Sequence, residues 1–297
     1  MRTVLAVIAL LLTASVAAAQ DKPRVVVVNY ALQYMAERLL GDSADVVFPV
    51  PAGVDPSFWR PSIADISAVQ SADLILLNGA GFATWTAKVS LPRSKIVNTA
   101  RGLEDRFIAT ATITHSHGDG GTHSHDGTAS YLWLDPTLAI AQAEAIAGAV
   151  SARGLGDAAT VYANLDALRD NLRALDETTK ATLGGLTDTV FIATHPRYQY
   201  LARAYGLTVY ALEWDAGAMP TADQLADLQA KIDETGASVL IWEAAPAKEA
   251  RAQVANLGLV DLVFPPLAVP TKEAPFLDAF RAGITALADA VAQAENR

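Results

Sequence analysis

Not one of the 297 residues is a cysteine. The chain therefore makes no disulfide and has no thiolate with which to hold a metal, and a product without a cysteine-linked lipid anchor is expected. Positive charge is scarce as well: 22 Lys and Arg stand against 32 Asp and Glu, for a net charge of −10. The acidic excess is spread along the chain, so no basic stripe exists to neutralise phosphates and no nucleic-acid partner is expected. Past the first twenty residues no run has the length and continuous apolarity of a membrane span. Also missing are a phosphate-cradling glycine loop, a Gly-x-Ser-x-Gly elbow and a convincing pair of carboxylates. With no identifiable nucleophile, the chain is expected to be a carrier and not an enzyme.

What is present begins with a 52% share of hydrophobic residues, enough for a large core and, at this length, for two domains. Residues 1–19 read as a signal peptide. Arg2 supplies the positive start, Val4 to Leu12 the apolar stretch, and Ala17-Ala18-Ala19 the small-residue cleavage pattern. Export to the periplasm as a free, monomeric protein is the expectation.

Eight short runs rich in Val, Ile and Leu follow. They are Arg24–Tyr30, Ala44–Val50, Ala72–Gly79, Lys95–Ala100, Thr189–His195, Leu207–Leu212, Ser238–Glu243 and Asp261–Pro266. Near-continuous apolar runs of this length signify strands covered on both faces, as in parallel sheets. Between the fourth and fifth runs, Val161, Leu165, Leu168, Leu172 and Leu175 fall at alternating spacings of four and three, the apolar face of one long helix. The pattern predicts an α/β protein of two lobes, each a mostly parallel four-stranded sheet with flanking helices, joined by one long helix. The expected divisions are an N-terminal lobe at 20–157, a linking helix at 158–185 and a C-terminal lobe at 186–297. A closing core helix is expected from Pro275 to Ala292.

Ligands of open α/β sheets lie beyond the carboxyl ends of the strands. His195 stands where the fifth run ends, with a ligand role and a packing role both open. Glu213 and Asp215 follow the sixth run, as cleft or solvated-loop residues. Glu243 ends the seventh and either faces the cleft or caps the next helix, the cap being favoured. Of five histidines, four lie in one tract, His115, His117, His123 and His125, as two His-x-His pairs. Imidazole suits zinc, copper and nickel, and such tracts capture metal, with affinity limited by the entropy of ordering them.

Several segments together resemble the substrate-binding proteins of zinc and manganese ABC importers. They are residues 50–56 (VPAGVDP), 60–66 (RPSIADI), 72–79 (ADLILLNG), the histidine tract, Trp133-Leu134-Asp135-Pro136, Thr194-His195-Pro196 with residues 200–207, and Ile241-Trp242-Glu243. The resemblance implies two lobes bridged by a long helix, an ABC permease of the inner membrane as partner, and Zn2+, or else Mn2+ or another divalent metal, as what is bound. It also implies four metal-ligand positions, which here fall on Ser57, Tyr131, His195 and Pro265. Only His195 keeps a ligand. A tight zinc site needs about four ligands, or three with an open position. A cleft site would therefore be rebuilt from His195 with the tract histidines or with Asp55, Glu213, Asp215 or Glu243. Two alternatives stand beside it. In one, the cleft takes an organic molecule or metal chelate against Trp59, Tyr131, Trp133 and Trp214. In the other, the chain is a periplasmic metal buffer that binds through the tract alone.

Overall fold

The computed structural model describes residues 22–110 and 127–297, with the backbone of two short strands inside the histidine tract. Residues 1–21, His117 and His125 lie outside the described residues, and with them the signal-peptide reading.

Each of the eight apolar runs marks a strand shorter than the run; seven runs contain theirs whole, and the last strand begins at Val260, one residue before its run. In the first lobe these are β1 (Arg24–Val27), β2 (Asp45–Val47), β3 (Leu74–Leu77) and β4 (Ile96–Asn98). Two further strands, β5 (Thr114–Ser116) and β6 (Thr122–Ser124), pair antiparallel in a ribbon within the histidine tract, and residue 115 lies opposite residue 123. The second lobe holds β7 (Val190–Ala193), β8 (Thr208–Ala211), β9 (Val239–Trp242) and β10 (Val260–Val263). Both four-stranded sheets are wholly parallel, in the orders β2-β1-β3-β4 and β8-β7-β9-β10. The second order repeats the first, with β7 in the place of β1. Each lobe thus has its switch point between its first and third strands, where a crevice opens beyond the strand ends.

Tyr30, expected at the end of a strand, is instead the first residue of helix α1 (Tyr30–Leu40). The reason is Asn29, whose side chain accepts from the Leu32 N–H and so caps the helix immediately after the strand. Helix α2 (Ile63–Gln70) begins with a capping box between Ser62 and Asp65. Helix α3 (Pro136–Ala152) is capped by Asp135, which accepts from the Thr137 N–H, with Pro136 in the first turn.

The joining helix, α4 (Ala158–Leu183), is 26 residues long and spans about 39 Å. Asp157 caps its start, and Val161, Leu165, Leu168, Leu172 and Leu175 are buried along one face, as their spacing predicts. That face lies against α1 and α3 of the first lobe and against α5 (Gln199–Tyr205) and α8 (Phe276–Glu295) of the second. One apolar cluster runs through both lobes and along this helix. The remaining helices, α6 (Ala222–Thr235) and α7 (Lys248–Asn256), flank β9 and β10 in sequence. No helix among the described residues is long and apolar enough to cross a membrane.

Candidate functional site

The two switch points carry different chemistry. In the first lobe the ends of β1 and β3 are joined by amides: Asn29 Nδ2 donates to Asn78 Oδ1 at 3.1 Å. Asn78 Nδ2 donates to the Ser130 carbonyl, and Gln142 Nε2 donates to the Asn78 carbonyl and to Thr99 Oγ1. All these side chains are buried. These neutral amides pair without burying charge, though Gln142 Oε1 has no hydrogen-bond partner, and the cluster holds the backbone just before Tyr131.

In the second lobe the ends of β7 and β9 are joined by an ion pair. Arg197, four residues beyond β7, donates through Nε to Glu243 Oε2 at 3.0 Å. Its Nη2 donates to Asp55 Oδ2 of the first lobe at 2.6 Å. The guanidinium carbon sits 4.8 Å from the centre of the Tyr131 ring and 6.0 Å from that of Phe58. The side chains of Arg197 and Glu243 are each 8% exposed and that of Asp55 34%. Burial alone would depress the guanidinium pKa. The Asp55 and Glu243 carboxylates, with the hydrogen bond to Glu243, hold the value above the ordinary arginine range, so the charge is permanent. Burial raises the Glu243 carboxyl, and Arg197 opposes the rise through its charge and its hydrogen bond.

Asp55 is held in turn by Ser57, whose Oγ and N–H both donate to Asp55 Oδ1, at 2.6 and 2.8 Å. Tyr131 is fully buried, and burial pushes its phenol well above the usual tyrosine range, against the pull of Arg197 and of a hydrogen bond with Ser57. It stays a neutral phenol, a poor metal ligand. The residues at 57 and 131 thus serve the arginine: one orients its aspartate, the other stacks beneath it.

His195 is buried, and its Nδ1 lies 2.9 Å from the Trp214 carbonyl. A carbonyl only accepts, so Nδ1 carries the proton there and the ring orientation is set by the backbone. The crevice that His195 lines with Pro196, Arg197 and Val209 encloses about 30 Å³, on the order of one water molecule. Glu213, at the exposed end of β8, has its carboxyl pushed up to about 7 by desolvation, a rise that Arg197 moderates. Asp215 is exposed two residues further on. Pro265 stands between two carbonyls that tie this end together. Phe264 accepts from the Tyr198 hydroxyl, and Pro266 accepts from Trp133 Nε1 at 2.8 Å.

Two expectations are corrected. Glu243 caps no helix, because α7 starts at Lys248 with Ala247 at its N-cap position and no side-chain cap; the carboxylate is drawn to the buried guanidinium instead. Trp59, Trp133 and Trp214 offer no stacking platform, being 5%, 1% and 4% exposed and packed on Trp85, Phe82 and Trp242 respectively. Sequence reading also missed Arg197, whose one signal was a basic residue just past a buried strand end at the switch point. Among the described residues, no three His, Asp or Glu side chains converge to hold a metal.

The histidine ribbon is rooted at this same junction. Tyr200 of α5, fully buried, donates to the Ala129 carbonyl at 3.0 Å and accepts from the Ile108 N–H at 3.3 Å. One hydroxyl from the second lobe thereby grips the chain on both sides of the ribbon, beside a bridge between Ala109 and Thr128.

Two lobes of one topology, a long helix packed against both and polar groups gathered at the ends of their strands make up one two-lobed α/β architecture. Residues 25–290 match the family described as zinc-uptake complex component A, periplasmic (ZnuA), and the chain belongs to that family. It is 27% identical over 232 residues to the zinc-binding lipoprotein AdcA of Streptococcus pneumoniae, covering 76% of this chain and 46% of the relative. It is 25% identical over 286 residues to the high-affinity zinc uptake system protein ZnuA of Bacillus subtilis, covering 91% and 88%. The chain spans about half the length of the AdcA relatives it matches. In structure it is similar to the Zn(II)-bound ZnuA-like domain of Streptococcus pneumoniae AdcA, with a TM-score of 0.75, 21% identity and coverage of 91% and 99%.

Proposed function

We propose that this chain is the extracytoplasmic solute-binding component of an ABC import system for zinc, and that it captures the metal through the imidazoles at 115, 117, 123 and 125. The observation that carries the reading is the ribbon in its family context. Its register sets residue 115 opposite residue 123, and Tyr200 roots it at the lobe junction. Two His-x-His pairs supply up to four borderline nitrogen donors, which suit Zn2+ better than the harder Mn2+. The partner is a membrane permease that takes the metal from a monomeric, non-catalytic carrier. Support for a place outside the cytoplasm comes from the family description and from the leader-like pattern of residues 1–19.

The test is a zinc titration of the metal-stripped protein against a competing chelator, beside a variant with all four tract histidines changed to Gln. The expected result is zinc binding in the parent that falls by at least about a hundredfold in the variant. Zinc binding of unchanged affinity in the variant overturns capture by the tract.

A further inference from the structure

We propose that Arg197 is a built-in cation in the interlobe cleft: it occupies the place a bound metal would need, excludes divalent metal from the cleft, and holds the lobes together in the metal-free protein. The proposal deepens the functional reading above and rests on it for the identity of the cargo. Two observations and their chemistry carry it. The guanidinium is buried between the lobes and takes one carboxylate from each, Asp55 at 2.6 Å and Glu243 at 3.0 Å. A dication in the cleft would need those same two carboxylates, because they are what the two facing lobes offer at this point. It would also have to sit beside a permanent positive charge, at a cost set by Coulomb repulsion in a poorly solvated site. The remaining neighbours are fitted to the arginine: Tyr131, a neutral phenol, presents its ring face 4.8 Å from the guanidinium carbon, an arrangement that favours a planar cation.

The pairing also bears on lobe motion. Where a cleft is empty of ligand, its facing carboxylates repel and the lobes have an electrostatic reason to part. Here one guanidinium satisfies both, so closure needs no cargo. The metal is left to the ribbon, and its capture and release occur without opening the cleft.

The experiment uses the full chain with the four tract histidines changed to Gln, the cleft being untouched, and zinc as the probe in a competing-chelator titration. The expected result is no residual one-to-one zinc binding within about a hundredfold of the parent affinity. A one-to-one site of near-parent affinity that is lost on adding His195→Ala overturns the proposal. Because this arm changes no residue of the cleft, it decides whether or not a cleft variant folds. In the same background Arg197→Gln is expected to gain one-to-one zinc binding, which Glu243→Gln then removes; a folded R197Q chain that gains none also overturns it. A parent chain that binds no zinc at all overturns the functional reading alone, and the gain on R197Q still tests Arg197.

Discussion

Arg197 Nε donates to Glu243 Oε2 at 3.0 Å, across the switch point of the second sheet, with both side chains buried. Removing one member of such a pair leaves the other charge buried and uncompensated, at about 3–5 kcal/mol. Arg197→Met is therefore expected to lower Tm by on the order of 10 °C. The double variant R197M/E243L is expected to lose less than the sum of the two single changes, because it buries no orphan charge. Thermal unfolding of the four proteins closes the cycle. Additive losses would show that the pair is not coupled.

Glu213 adds a pH dependence whose sign follows from its environment. Its carboxyl is raised to about 7, from 4.5, by desolvation. The folded state thus holds this proton more tightly than the unfolded chain does, and its contribution to stability is present at low pH and lost as pH rises from about 4.5 to about 7. Urea midpoints between pH 5 and 7.5 are expected to fall more steeply in the parent than in Glu213→Gln. Arg197 now holds the value down, so R197Q is expected to shift the Glu213 titration, followed by carboxyl carbon NMR, further upward. A downward shift would remove Arg197 from its surroundings.

Tyr200 ties the base of the histidine ribbon to the second lobe through one hydroxyl. Tyr200→Phe keeps the ring in its pocket and removes both bonds, leaving the Ala129 carbonyl and the Ile108 N–H without this partner. The expected cost is about 1–3 kcal/mol. Amide exchange of Ile108 is expected to quicken at least about tenfold relative to amides of β1, where stability is global. Equal acceleration at both places would mean that Tyr200 supports the fold as a whole and has no particular hold on the ribbon.

Much of the architecture was legible in the residues because it depends on local, periodic patterns. A strand covered on both faces must be apolar throughout, which holds for central strands such as β3 and β9; the edge strand β8 is largely exposed although its run is apolar. Leu165, Leu168, Leu172 and Leu175 announced a single buried helix face whatever lay on the other side. Strand ends were less legible: Asn29 stops β1 by capping α1, a competition between strand and helix that apolarity does not report. The antiparallel ribbon was missed for a related reason, since Thr-His-Ser triplets lack the apolar alternation by which strands are read.

The cleft was another matter. The sequence by itself determined that the chain has a two-lobed α/β fold, that Ser57, Tyr131 and Pro265 stand where the family resemblance implies metal ligands, and that histidine is concentrated in one tract. Only the tertiary structure decided what the cleft holds instead. Arg197 is 142 positions from Asp55 and 46 from Glu243, and no periodicity or spacing connects residues so far apart. In sequence the cap reading of Glu243 is favoured over the cleft, and Asp55 is one of several candidate cleft residues with nothing to single it out. Both are drawn to one point because a buried guanidinium must find counter-charges, and the folded lobes bring those two within its reach.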